Sequence, residues 1–170
     1  MLRAKDVAVY FLKLDTDGRL FNSGNRIEMN GRRFYEGNAR LNKYLHLAQN
    51  LYYAKTGTLL FSDNLYAYDN GGVVKNVQEN YFQLLKQKNQ WNVSIPDDIK
   101  VFLGKLFGLL QNAEIDDLIQ ISHEDPAWKE RHTYTRLNDQ IMDTRSMLDD
   151  YRERYEDALE LMERMPVQTV

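Results

Sequence analysis

Few side chains in this sequence have the types and spacing that catalysis requires. The 170 residues include three histidines, at positions 46, 123 and 132, and no cysteine. The sequence contains no phosphate-binding G-x-x-x-x-G-K-[ST], dinucleotide-binding G-x-G-x-x-G, zinc-binding H-E-x-x-H or serine-hydrolase G-x-S-x-G motif. The lack of cysteine excludes a thiol nucleophile, a disulfide framework and a Cys-based zinc site. We therefore predict a non-enzymatic chain without a metal or cofactor.

One metal site is still conceivable, formed by His123, Glu124, Asp125 and His132. None of the three histidines has the spacing of known metal ligands to another. The alternative, which we favour, is that His123 makes a hydrogen bond that orients a helix junction. The pairs Asp116-Asp117 and Asp149-Asp150 are predicted to be solvated, because acid–base catalysis needs a buried environment that shifts the pKa of the acid.

The tyrosines offer a different chemistry, which is recognition of another protein. Five of the eleven tyrosines lie between positions 44 and 68. Most of these five should contribute to the core with their hydroxyls at its rim. Tyrosines in such positions are also common anchors of protein interfaces.

The element that must position these tyrosines is a helix that begins near Leu41. Apolar residues recur at helical spacing as far as Ala54, on a face broader than a surface helix needs, and Gly57 is a natural left-handed stop. Two short apolar runs follow, at 59–61 and 65–68, and we predict that they pair as a small hairpin. The Asp-Asn-Gly-Gly turn after them requires a positive φ at a glycine and leads into another helix, over 73–85.

Two elements precede this central helix. Residues 3–14 have apolar side chains on one helical face, and residues 26–35 predict a β-hairpin with a type I′ turn at Asn30-Gly31. Asn38 is the predicted N-cap of the central helix. The hairpin either determines partner specificity or is only an edge decoration.

The second half of the chain is predicted to be helical. One helix should start at Pro96, where the proline suits the first turn and two following aspartates favour the N-terminal dipole. Gly104 and Gly108 lie four residues apart on this helix and would allow another element to pack closely. A short helix is expected over 113–121.

A final helix is predicted to begin at Pro126, with Asp125 as its N-cap. No glycine or proline interrupts residues 127–165, so we predict one unbroken helix over 126–165, with a heptad seam from Leu137 to Met165. The second half of this helix either pairs with another chain, as in a homodimer, or folds back on its own core.

Composition places the chain among ordinary globular proteins of one domain, residues 1–170. No segment approaches the roughly 18 apolar residues of a membrane helix, and no signal-peptide pattern is visible, so we expect a cytoplasmic protein without a membrane partner. The net charge is −3, yet residues 1–50 hold nine Lys/Arg and only five Asp/Glu. This basic third leaves nucleic-acid binding open, although we favour simple solvation because no basic run interleaved with aromatic residues occurs.

Two separated stretches resemble the Panacea antitoxin domain family, also described as SocA-like or phage-associated GepA-like. The family helix, roughly L-Q-K-L-L-Y-x-A-Q, is matched by LNKYLHLAQ, and the family's glycine, L-F and W-x-x-G-P-V-V-P pieces follow in order. A later piece, similar to L-x-x-x-T-H-x-x-x-P-W, is matched around His123. The matching positions are Leu41, Lys43, Leu45, Ala48, Gln49, Gly57, Leu60, Phe61, Gly71, Val73, Val74, Leu118, His123, Pro126 and Trp128. The sequence departs from the pattern at Asn42, His46, Tyr68 and Gly72, as a divergent member would.

The resemblance covers residues 3–151, with the 26–35 hairpin as an insertion. It implies an antitoxin that neutralises a partner toxin by direct contact, and that in some members acts as an adaptor presenting the toxin to an AAA+ protease. The alternative is a regulatory protein from a phage or mobile element that binds nucleic acid through the basic N-terminal surface.

Together the elements predict a mainly α fold: a compact domain of about six helices, one or two short β-hairpins and a long C-terminal helix. The framework that the family shares is expected around Tyr68 and the turn at 71–74. The candidate partner surface comprises Arg32, Arg33, Phe34, Tyr52, Tyr66, Tyr151 and Tyr155.

Overall fold

The helix Glu36–Thr56, here called α2, is the longest element of the described chain and the one around which the others pack. The computed structural model describes residues 1–92, 94–132 and 140–170, and within those ranges it has nine α-helices, one 3-10 helix and two β-hairpins. In chain order the elements are α1 (Ala4–Leu14), β1 (Arg26–Met29), β2 (Arg32–Tyr35), α2 (Glu36–Thr56), β3 (Tyr66–Tyr68), β4 (Gly71–Val73), α3 (Lys75–Glu79), α4 (Tyr81–Gln87), α5 (Asp97–Leu110), α6 (Ile115–His123), α7 (Pro126–Arg131), the 3-10 helix (Thr144–Met147), α8 (Leu148–Arg154) and α9 (Glu156–Glu163). The mainly α fold class is confirmed, with more helices than the six predicted.

The broad buried face predicted for the central helix is present. Fifteen of the 21 residues of α2 are buried, and α1, α5, α6 and α8 all contact it. Beside α2, the ring of Tyr44 meets those of Phe11 and Phe21 edge to face, with centroids 5.4 and 4.8 Å away, an arrangement that aromatic quadrupoles favour. Gly57 ends α2 with a φ of 75°, as its sequence position predicted.

The first hairpin agrees with the prediction. Strands β1 and β2 are antiparallel, and both turn residues have positive φ, 51° at Asn30 and 75° at Gly31, as a type I′ turn requires. The predicted N-cap at Asn38 is wrong, because α2 already begins at Glu36. Asn38 lies within the helix, where its side chain donates to the carbonyl of Gln78.

The second hairpin pairs different residues from those predicted. Residues 59–61 do not pair with 65–68; instead β3 pairs with β4 across the glycine turn, and Phe61 forms a parallel bridge with Leu2. The side chain of Gln49 on α2 binds the backbone of residues 60 and 61 and so satisfies polar groups that a hairpin would have used. Gly71 has the positive φ that the turn was predicted to need, 108°.

The segment predicted as one helix over 73–85 is two helices, α3 and α4, interrupted at Asn80. The side chain of Asn80 donates to the carbonyl of Asn76, and its φ of −106° is not helical. Helix α5 begins at Asp97, one residue after the predicted start at Pro96, which is its N-cap residue. Gly104 and Gly108 of α5 provide the close packing expected of them: a Cβ on Gly104 would collide with the carbonyl of Gln168 in the C-terminal tail.

The single C-terminal helix over 126–165 is wrong. Helix α7 ends at Arg131, and His132 is extended, with a ψ of 132°. The chain returns as a 3-10 helix and two short helices, α8 and α9, which meet at the non-helical Tyr155. Because α8 packs against α2, the seam residues that it carries are used inside this chain. Leu137, the first seam residue, lies outside the described residues.

Candidate functional site

A fully buried carboxylate, that of Asp125, connects three helices of the described chain. Its oxygens accept hydrogen bonds from His46 Nε2 at 2.6 Å and Asn50 Nδ2 at 2.8 Å, both on α2, and from the hydroxyl of Tyr151 on α8 at 2.5 Å. Asp125 also caps α7, as predicted, by accepting from the backbone N–H of Ala127. Asp125 therefore acts as a cross-link between α2, α7 and α8.

The electrostatics of this cluster are those of a structural network. Burial by itself would raise the pKa of Asp125, but hydrogen bonds from His46, Tyr151 and Asn50 outweigh it and hold this pKa below its usual value. Burial, reinforced by Asp125, strongly raises the pKa of Tyr151, which stays a neutral donor. His46 and Asp125 are both fully buried, so a substrate has no access to these groups in this conformation.

Two side chains of α2 hold the β3–β4 hairpin by hydrogen bonds to its backbone. Lys43 Nζ donates to the carbonyl of Gly72 at 2.8 Å, and Asn42 Oδ1 accepts from the N–H of Val74 at 3.0 Å. A Cβ on Gly72 would lie only 2.6 Å from His46 Nδ1. Glycine is thus required at position 72 by the closeness of the histidine ring. This contact joins two of the positions at which the sequence departs from the family pattern.

Trp128 holds the turn of the same hairpin from the other side. Its Nε1 donates to the carbonyl of Tyr68 at 2.8 Å, and its ring stacks between the rings of His123 and His132, with centroids 4.1 and 4.3 Å away. His123 Nε2 lies 2.8 Å from the carbonyl oxygen of Asp69. The orienting hydrogen bond predicted for His123 is therefore present, with its acceptor on the β3–β4 turn.

Three of the four residues considered as metal ligands, His123, Asp125 and His132, have other partners. His132 Nε2 lies 2.9 Å from Asp69 Oδ1, His123 binds the backbone of the same residue, and Asp125 binds His46. Among residues 1–92, 94–132 and 140–170, no group of three or more His, Cys, Asp or Glu side chains is placed to hold a metal ion.

The remaining family-motif residues have structural roles. Their shared property is burial or a special backbone position: the apolar ones lie in the core, Gln49 binds the 60–61 backbone, Gly57 ends α2, and Pro126 begins α7. The core members are Leu41, Leu45, Ala48, Leu60, Phe61, Val73, Val74 and Leu118.

The candidate partner surface is only partly assembled by the fold. Tyr151 and Tyr155 are buried, with exposed fractions of 0% and 7%, so the assignment of these two residues to an exposed surface is wrong. Their hydroxyls bond within the network, that of Tyr155 accepting from Asn50 at 3.1 Å. Tyr52 is half-buried against Phe102, and Tyr66 is half-buried, with the Lys75 ammonium over its ring.

The other three surface residues, Arg32, Arg33 and Phe34, line one pocket together with Tyr68. This pocket, here called the interhairpin pocket, has a volume of about 210 Å³ and lies between β2, α2 and the β3–β4 turn. Two cross-links hold the hairpins beside it: Arg32 Nε pairs with Asp69 Oδ2 at 2.9 Å, and Asn70 Nδ2 donates to the carbonyl of Met29 at 3.1 Å.

Lys43 also lines the interhairpin pocket, although its side chain is almost completely buried. Burial lowers its pKa to about 7.

Sequence patterns identified Lys43 only as a motif residue and did not predict the Asp125 network. The available signal was the polar residues that recur within an otherwise apolar helix, at positions 42, 43, 46, 49 and 50.

Several basic residues of the N-terminal third are buried or paired within the fold. Arg40 is buried and donates to the carbonyl of Ala113 at 2.6 Å, Lys43 is buried, and Arg32 is paired. A continuous basic surface is therefore not formed by these residues. Over the described ranges, the protein has no helix with the length and apolar character needed to cross a membrane.

Comparison with known proteins gives one family. Residues 41–129, which are 89 of the 170 residues, match the model of the family described as Antitoxin SocA-like, Panacea domain. The match begins after the β1–β2 hairpin and ends within α7. No curated protein and no solved structure matches the chain. The family supports a general antitoxin-type role with a toxin protein as partner. Because its model matches more than half of the sequence, the chain belongs to the antitoxin SocA-like, Panacea domain family.

Proposed function

We propose that this chain is an antitoxin that neutralises its toxin by direct contact through the surface around the interhairpin pocket. The observation that supports the proposal most is the cross-linked pair of hairpins, in which Arg32, Arg33 and Phe34 lie beside Tyr68 of the family framework. A binding surface fixed in this way loses little conformational entropy when a partner docks.

The proposed action is occlusion and requires no catalysis. Of the titratable groups that the fold brings together, His46 and Asp125 are fully buried and are hydrogen-bonded to each other. A second mode of the same contact is presentation of the bound toxin to an AAA+ protease. Both modes need the toxin surface to be covered, and they differ only in whether the toxin is then degraded.

The experiment is growth rescue followed by copurification. Each open reading frame next to this gene is induced alone and then together with this chain. Rescue of a toxic neighbour, with the two proteins eluting as one complex, supports direct neutralisation. If no neighbour is toxic, or toxicity persists beside folded protein, the proposal loses its support. Loss of the toxin over time in cells with the protease, but not in cells without it, would identify the adaptor mode.

A pair of matched variants tests the surface. Arg33→Glu reverses an exposed charge at the interhairpin pocket, whereas Arg19→Glu reverses an exposed charge between α1 and β1. We expect Arg33→Glu to weaken rescue and copurification, and Arg19→Glu to leave both unchanged. Equal behaviour of the two variants would place the interface elsewhere. Salt-dependent DNA binding by the purified chain would instead support the nucleic-acid alternative.

A further inference from the structure

The interhairpin pocket has an excess of positive charge. Of the described residues that line it, Arg32, Arg33 and Lys43 are basic and only Asp69 is acidic. The Asp69 carboxylate is already bound, by Arg32 Nε and His132 Nε2, both at 2.9 Å. Arg33 is exposed and forms no ion pair with the described residues. The pocket therefore offers cationic donors without a matching internal acid.

Lys43 is the least satisfied of these cations. An ammonium group has three N–H donors, and in the described chain Lys43 Nζ has one hydrogen-bond acceptor, the carbonyl of Gly72. The side chain is 1% exposed, so water supplies little compensation. A carboxylate in the pocket would give this ammonium an opposite charge and further acceptors.

We infer that the interhairpin pocket is a carboxylate site that takes a Glu or Asp side chain of a protein partner, an inference that rests on the proposed function. The volume of about 210 Å³ is below the roughly 300–1,000 Å³ of ordinary small-molecule sites, which suits a single side chain. Phe34, Tyr68 and Val73 supply apolar walls for its methylene groups.

The same features disfavour a nucleic acid. Binding to a phosphate backbone needs several contacts from exposed cations. Around this pocket Arg33 is the one unpaired exposed cation among the described residues, since Arg32 is paired with Asp69 and Lys43 is buried. A buried lysine next to one exposed arginine matches one carboxylate better than a chain of phosphates.

Binding should depend on pH through Lys43, whose ammonium loses its proton near pH 7 in the free protein. Arg32, Arg33 and Asp69 line the same pocket, and His123 on α6 interacts electrostatically with Lys43. His46 on α2 and His132, the residue after α7, interact in the same way with His123. Burial lowers the pKa of His123 below 6.5. His123 is therefore neutral throughout the interval from pH 7 to pH 8.5, in which Lys43 titrates. As the pH rises through that interval, a bound carboxylate loses its attraction to the Lys43 ammonium but keeps its attraction to the Arg33 guanidinium.

The test uses the purified chain and two capped peptides, Ac-Gly-Glu-Gly-NH2 and its glutamine analogue, titrated by NMR. We expect the Glu peptide to bind more tightly than the Gln peptide, and its affinity to fall about tenfold from pH 7 to pH 8.5. Lys43→Met should remove the pH dependence, Arg33→Gln should weaken binding at both pH values, and Arg19→Gln should change nothing.

The outcomes separate this inference from the proposed function. Equal binding of the two peptides, or binding of neither, overturns the carboxylate site even if growth rescue succeeds. Displacement of the Glu peptide by an equal concentration of inorganic phosphate would assign the pocket to phosphates and also overturn it. Selective Glu binding without rescue would support the site while removing the antitoxin role. If Lys43→Met does not fold, Arg33→Gln still decides between these outcomes.

Discussion

The burial of Lys43 should make the stability of this protein rise between pH 7 and pH 9. Its pKa is about 7 in the folded chain and about 10.5 in the unfolded chain. In this interval the unfolded chain keeps a proton that the folded chain releases, so the free energy of unfolding increases with pH. The slope approaches about 1.4 kcal/mol per pH unit, and the gain from pH 7 to pH 9 is about 2 kcal/mol.

The interval is chosen because other shifted groups act outside it. The pKa of His123 is lowered by burial, so its contribution to the free energy of unfolding rises with pH only below about pH 6.5 and is constant above it. The pKa values of Tyr81 and Tyr44 are raised by burial, to about 12 for Tyr81. Stability linked to these tyrosines is present below about pH 10 and is lost only above it.

The assay is urea unfolding at pH 7, 8 and 9 of the native chain, Lys43→Met and Lys86→Met. Lys86 is exposed on α4, so its variant should keep the native pH dependence. Lys43→Met should lose it, and it should also lose about 1 kcal/mol at pH 9 because the Gly72 carbonyl loses its donor. The lowered pKa of Lys43 would be refuted if the free energy of unfolding of the native chain did not change over this pH range, or if Lys43→Met kept the pH dependence of the native chain.

Three further substitutions test the framework beneath the pocket by thermal or urea unfolding. Gly72→Ala should cost about 1–3 kcal/mol, because its Cβ would lie 2.6 Å from His46 Nδ1. Gly24→Ala, where a Cβ meets nothing within 4 Å, should be neutral, and equal effects of the two would contradict the close approach. Asp125→Asn should cost about 3–5 kcal/mol, since it removes the charge that His46 and Tyr151 bind. A cost below about 1 kcal/mol would mean that the network is dispensable. Tyr151→Phe should cost about 1–2 kcal/mol, and no loss would show that its short bond to Asp125 contributes nothing.

Local patterns in the sequence predicted those features that depend on neighbouring residues. The Asn30-Gly31 turn, the stop at Gly57, the positive φ at Gly71 and the cap at Asp125 are all present. Each is decided by the backbone freedom or hydrogen bonding of one or two residues. The family followed from the order of two such stretches.

Features set by distant residues were predicted poorly. Residues 59–61 had the composition of a strand, but the Gln49 side chain satisfied their backbone from α2. The C-terminal seam has a helical heptad pattern from Leu137 to Met165, yet α7 ends at Arg131 and the hydroxyl of Tyr151 on α8 reaches Asp125. Periodicity does not distinguish a helix that projects from several short helices that fold back.

The amino-acid sequence by itself determined the helical class, the main turns and the family of this protein. Only the tertiary structure decided which polar residues of α2 are buried and what they bind. His46 and Lys43 read as ordinary helix residues until Asp125 and Gly72, 79 and 29 positions away, are placed against them. The cost of burying such groups depends on partners that are remote in sequence, and no local pattern records them.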